Sequence, residues 1–221
     1  MVGKVISKNK GEIDIMWEKM SEPWRVCFEQ AWQAYCNGSI PIGSVIVSEE
    51  GEIISRGRNM IGETIEDLRE LSGSKIAHAE MNAIYSLREK QENTKIYTTM
   101  EPCIMCFGAI VMNGIKEIYY AARDGLAGGI NLTNSYIFKK DIKINEYNPQ
   151  LEIVQLVIKT DFIYRNYGSR AEELLNVWRK TCPLGIQLGT EWYKENRLIN
   201  YKKSNYTIEL VIDAISKELR K

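Results

Sequence analysis

The segment "KIYTTMEPCIMCFGAIVMNGIKEIYYAA", residues 95 to 122, limits the possible folds more than any other part of the chain. It reads as a strand over 95–100, a helix over 103–114 stopped by Gly114, and a second strand over 116–122. A strand, helix and strand joined this closely form a parallel pair with a right-handed crossover. Such a unit requires a sheet covered by helices, so the predicted class is α/β.

The flanking sequence extends that pattern. In "EPWRVCFEQAWQAYCN", residues 22 to 37, Val26, Cys27, Ala31, Ala34 and Tyr35 fall near helical spacing, and Gly38 offers a stop. A hairpin follows from about Gly43 to Gly57 around a Glu-Glu-Gly turn, leaving Asn59 just past its second strand. The polar stretch "MIGETIEDLRELSGSK" reads as a loop with a short helix. Ile76 to Glu89 reads as a helix with Ala79, Ala83, Ile84 and Leu87 inward. The β-branched run "LEIVQLVIK", 151 to 159, predicts a further strand, and "SRAEELLNVWRK" a helix ending before Pro183. In the tail, Ile208, Val211, Ile212, Ile215 and Leu219 share one face of an amphipathic helix that should dock on the core.

Composition excludes several classes. The 221 residues allow one domain with an appended piece, and 44% hydrophobic with 26% charged residues is an ordinary globular balance. No apolar run approaches the ~18 residues of a bilayer span, and the amino end lacks a secretory hydrophobic segment, so no membrane association and a cytoplasmic location are expected. Cysteines at 27, 36, 103, 106 and 182 do not read as a disulfide framework; reduced thiols are expected. Lys plus Arg equals Asp plus Glu at 29 each, so there is no global positive field for nonspecific nucleic-acid binding.

The only histidine, His78, lies in "SKIAHAEMNAIY" at the start of a predicted helix. A lone histidine is more often a hydrogen-bonded structural residue than a ligand. Cys103 and Cys106 lie one helical turn apart, which alone serves either metal ligation or thiol redox chemistry. Adding His78 from a second helix start favours Zn²⁺ held by three ligands, with a fourth position open to water. Cys27, Cys36 and Cys182 lack that spacing and read as small core residues. Glu80, two positions after His78, is turned partly away from the ligand set and suits proton transfer; taken alone it would be a first-turn carboxylate favoured by the helix dipole.

Together, "HAE" and "EPCIMC" match the H-x-E…P-C-x-x-C signature of zinc-dependent nucleobase deaminases. The chain resembles the cytidine and deoxycytidylate deaminase superfamily over about residues 24–159. "YTTMEPCIMCFGAI" and "AARDGLAGG" are most similar to its tRNA adenosine deaminase and guanine deaminase branch, and "HAEMNAI" and "NGIKEIYY" also to deoxycytidylate deaminases. The resemblance implies a three-layer α/β/α sandwich around a central mixed sheet. It implies a zinc cofactor on His78, Cys103 and Cys106, with Glu80 moving protons from the attacking water to the ring nitrogen and the departing amine. Asn59 and the backbone N–H of Ala79 would contact the substrate, Glu101 and Pro102 would position the cysteine helix, and a homodimer is expected. Residues 22–180 would form the deaminase domain, preceded by an N-terminal segment, 1–21, and followed by a C-terminal helical extension, 181–221.

The substrate is expected to be a free base, nucleoside or nucleotide. Editing of tRNA adenosine, or a noncatalytic zinc-stabilised scaffold, are the alternatives. The loop from Met60 to Ala77 and the last ~40 residues depart from the family pattern, and either could cover the site. "TEWYKENRLINYKK" has the composition for base stacking or phosphate contact, but reads better as a solvated helix and loop.

Overall fold

Two glycines set how closely the sheet is covered. Strand β1 (Gly43–Val47) pairs antiparallel with β2 (Ile53–Arg58), placing Ser44 opposite Gly57. A Cβ on Gly43 would lie 2.0 Å from the Cys27 carbonyl oxygen of helix α1 (Glu22–Cys36). One on Gly57 would lie 2.3 Å from the Ala83 nitrogen of helix α2 (Ala79–Tyr85). Only glycine permits backbones to approach this far. Alternation along β1 separates the two sides: Val45 and Val47 pack with Cys27 of α1, and Ile46 packs with Ala83 of α2.

The computed structural model describes residues 17–65, 70–89, 92–134, 142–145 and 148–221. Residues 1–16 and part of the short helix expected within 60–75, at 66–69, lie outside the described residues. Strand β3 (Lys95–Met100), helix α3 (Ile104–Met112) and strand β4 (Glu117–Ala122) form the predicted unit, with β3 and β4 parallel. A three-residue strand, β5 (Lys143–Asn145), adds parallel to β4, giving a five-stranded mixed sheet in the order β2-β1-β3-β4-β5. Phe107, Ile110 and Val111 of α3 pack with Ile96 and Ile118 on the α2 side. Burying an apolar side chain of this size contributes about 1.5–3 kcal/mol.

The predicted strand at 151–159 is instead part of helix α4 (Pro149–Tyr167). Asn148 caps it, its side chain accepting from the backbone N–H of Gln150 and Leu151, and Pro149 occupies the first helical position. Every residue from Leu151 to Ile163 is buried. A helix covered on all sides loses the 3.6-residue alternation, so its β-branched residues imitate a buried strand.

What covers α4 is the carboxy-terminal part of the chain. Helices α5 (Ala171–Arg179), α6 (Pro183–Lys194), α7 (Arg197–Lys203) and α8 (Ile208–Leu219) follow it. Trp178, Ile186, Trp192, Leu198 and the predicted inner face of α8 share one apolar cluster with α1 and α4. The Trp32 indole N–H of α1 donates to the Tyr206 carbonyl at 2.9 Å, fixing the start of α8. Among the described residues no helix is long and apolar enough to cross a membrane.

Gly57→Ala should push α2 off β2 and destabilise the fold by about 1–3 kcal/mol. Chemical denaturation should read this as a lower midpoint with an unchanged slope.

Candidate active site

The predicted helix over 76–89 begins three residues late, at Ala79, so His78 is its N-cap residue in extended conformation. Cys103 holds the same position on α3, and Cys106 lies on that helix's first turn. Two helix amino ends therefore deliver three donors to one point. Cys103 Sγ lies 3.6 Å and Cys106 Sγ 3.5 Å from His78 Nδ1, and the three donor atoms all lie within 4.8 Å of one another. Positive helix ends favour thiolate there.

The Cys103 thiol is drawn down to about 4, first because the Cys106 thiol donates to it, with His78 and the Cys106 backbone N–H adding support. The same bond, with burial, pushes the Cys106 thiol up. An imidazole and two sulfurs match the soft donor set that tetrahedral zinc takes in a three-ligand site.

Glu80 is 3% exposed and lies on the first turn of α2. The Thr98 hydroxyl donates to its Oε1 at 3.2 Å, and burial raises its pKa. Thr98 stands on β3 beside the metal donors; nothing in the sequence distinguishes it from other strand threonines. Asn59 is buried at the end of β2, with its backbone N–H on the Ile42 carbonyl. Its Oδ1 accepts from the Ile61 N–H, and its Nδ2 has no partner among the described residues. Ala79 is fully buried as the first residue of α2.

Two clasps hold this geometry. Asn82 donates to the carbonyls of Arg58 and Leu71 and accepts from the Leu71 N–H, tying the 60–77 loop to α2. Glu101 accepts from the N–H groups of Asp124 and Ile130, and Gly129 donates to the Pro102 carbonyl at 2.8 Å. A Cβ on Gly128 would lie 2.4 Å from Glu101 Oε1, so "GLAGG" is glycine-rich where it runs against the cysteine segment. Cys27, Cys36 and Cys182 stand apart from the cluster and form no disulfide.

A His/Cys/Cys centre at two helix starts, beside a buried carboxylate and over a mixed sheet, defines a zinc-site α/β protein. The profile of the cytidine and deoxycytidylate deaminase zinc-binding region matches residues 18–122. The chain is 38% identical over 111 residues to the tRNA-specific adenosine deaminase of Aquifex aeolicus, covering 48% of this chain and 68% of that protein. It is 31% identical over 139 residues to the cytosine deaminase of Candida albicans, covering 61% of this chain and 84% of that one. The guanine deaminase structure from Nitrosomonas europaea shares the fold, with TM-score 0.50 and 16% identity over 64% of this chain and 84% of that one. The chain belongs to the cytidine and deoxycytidylate deaminase family, a family of zinc-dependent hydrolases.

Protein purified from zinc-supplemented medium should contain about one zinc per chain by elemental analysis. Cys103→Ser or His78→Ala should weaken zinc binding by more than the 10- to 100-fold, roughly, that loss of an outer partner brings. Cys182→Ala should leave the zinc content unchanged.

Proposed function

We propose that this protein hydrolyses the exocyclic amino group of a nucleobase ring, presented as a free base, nucleoside or nucleotide, to a carbonyl. The observation that carries the proposal is the convergence of His78, Cys103 and Cys106 beside the buried Glu80. In this reading the first three hold zinc, whose Lewis acidity brings a water's pKa to about 7. Glu80 takes the proton from the attacking water and returns protons to the ring nitrogen and the leaving amine. The C–N bond breaks, a C–O bond forms, and ammonia leaves without any change of oxidation state. Thr98 keeps Glu80 oriented; Asn59 offers its Nδ2 donor, and Ala79 its N–H, to the substrate. Glu101 and Pro102 position the cysteine helix.

A second reading, deamination of adenosine in tRNA, is favoured by the similarity to proteins carrying that name. It needs a basic groove that the balanced charge of the chain does not provide in bulk. Residues 22–180 serve in this proposal as the deaminase domain, with 181–221 as a helical extension on it. The lack of a disulfide at any of the five cysteines is consistent with a cytoplasmic location.

The proposal includes a homodimer through the outer face of α3. Ile104 and Met112 are 62% and 78% exposed there, and a Cβ on Gly108 between them would meet nothing within 4 Å. Ile76 and Tyr85 add exposed apolar surface near α2. An apolar stripe of this kind is what an association surface requires.

Ammonia release screened over bases, nucleosides, nucleotides and tRNA should find turnover that Glu80→Gln lowers by about 100- to 10,000-fold with zinc still bound. Turnover unchanged in that variant would remove the proton shuttle. Light scattering should report a dimer, and the Ile104→Asp/Met112→Asp double variant should be a folded monomer.

A further inference from the structure

Among the described residues, Lys159 is a buried lysine that forms no ion pair with a carboxylate. It stands on α4, 8% exposed, with Nζ 4.5 Å from the centroid of the Trp178 ring. Among the described residues it has no hydrogen bond or ion pair. The charged groups near enough to act on it are Asp124, just past β4, and Glu80 of the catalytic cluster. Trp178 is fixed in turn, its indole N–H donating to the Arg123 carbonyl at 2.7 Å.

Burying an ammonium without hydrogen-bond partners is expensive, and methionine would fill the same space under Trp178 without that cost. An ammonium carries three donors, and the π face of an indole occupies one side only. One turn earlier on the same face of α4 lies Gln155, fully buried. Its Nε2 donates to the Pro41 carbonyl at 2.7 Å, and its Oε1 has no partner among the described residues. The neighbouring Ile42 carbonyl accepts from the Asn59 backbone, whose Nδ2 is likewise unmatched. An unmatched donor on Asn59 and an unmatched acceptor on Gln155 thus flank the Pro41–Ile42 segment, with Gln155 one turn of α4 from Lys159.

We propose that Lys159 is a specificity-determining residue that donates to a ring carbonyl oxygen of the substrate. It thereby selects amino rings that also carry a carbonyl, of the cytosine or guanine type, over adenine. The inference rests on the deaminase reading above and narrows it. A neutral carbonyl suits the position better than a phosphate, because Asp124, whose charge acts on Lys159, would repel an anion. It also suits the depth: a phosphate belongs in water, whereas Lys159 lies under the indole.

The test uses the zinc-loaded full chain. Cytosine, cytidine and guanine are compared with adenine and adenosine, both as turnover substrates and as ligands of the Glu80→Gln protein by calorimetry. The carbonyl-bearing rings should bind at least about 10-fold more tightly than the others. Lys159→Met should reduce that preference by about 10- to 100-fold, with zinc content and melting temperature retained, and Lys159→Arg should restore part of it. Preferential binding with no turnover anywhere in the panel would remove the activity and leave this inference standing. Equal binding of both ring classes, preference for adenosine, or a Lys159→Met protein that discriminates as before would overturn it.

Discussion

The structure depends on two helix amino ends meeting. His78 and Cys103 each stand at the N-cap of a short helix, with donor atoms 3.6 Å apart. Neither helix is long enough to be stable alone, since isolated helices below roughly 12–15 residues are marginal in water. Their direction therefore comes from packing: Gly57 lets α2 lie directly on β2, and Phe107 and Ile110 seat α3 against Ile96 and Ile118. Gathering two sulfurs and an imidazole at one place is unfavourable until a cation joins them. Metal binding then returns that energy to the fold, so the site and the stability of its scaffold are coupled.

How much of this was legible depended on which residues stood between solvent and core. The β3–α3–β4 unit was readable because α3 is short, ends at Gly114 and sits between two strands with alternating faces. The metal cluster was readable because its donors are chemically distinct and locally spaced, and because the motif they make up resembles a known family. Helix α4 was misread because burial from Leu151 to Ile163 erases its period; only Asn148 and Pro149 announced a helix start. The three-residue β5 is too short to leave a pattern, and helices α6 and α7 divide at Asn196, whose φ of 55° breaks the chain direction without a proline or glycine. Thr98, Lys159 and Trp178 were not identifiable, because a hydrogen bond or a cation over a ring joins residues whose separation in sequence carries no signal.

The carboxy-terminal helices change what α4 can carry. With the sheet on one side and α5 and α6 on the other, its polar side chains are withdrawn from water and each needs a partner within the protein. Asp161 is fully supplied: the Tyr35 hydroxyl donates at 2.5 Å, and Arg165 donates through Nε at 2.7 Å and through Nη2 at 3.0 Å. Arg165 then reaches Asn196 at 3.1 Å, joining α1, α4 and the start of α7 in one network. Removing one member would leave the others buried and unpaired, the costly case for such groups.

Lys159, two residues before Asp161, lies in the same buried helix under the opposite condition. A fold that supplies one buried charge with three donors could as readily have placed a carboxylate beside the other, yet among the described residues Lys159 meets an indole face, with the charges of Asp124 and Glu80 acting from further off. The contrast separates two uses of burial. Around Asp161 exclusion of water strengthens bonds already made, so the network acts as a brace between the sheet and the added helices. At Gln155 Oε1 and Asn59 Nδ2 the same exclusion leaves polar atoms with no matching group among the described residues. A buried polar atom left unmatched is costly, so under the proposed specificity these atoms would favour a ring that offers the missing group over one that does not. The carboxy-terminal helices thus act on α4 without touching the metal donors: by covering it they withdraw Gln155 and Lys159 from water.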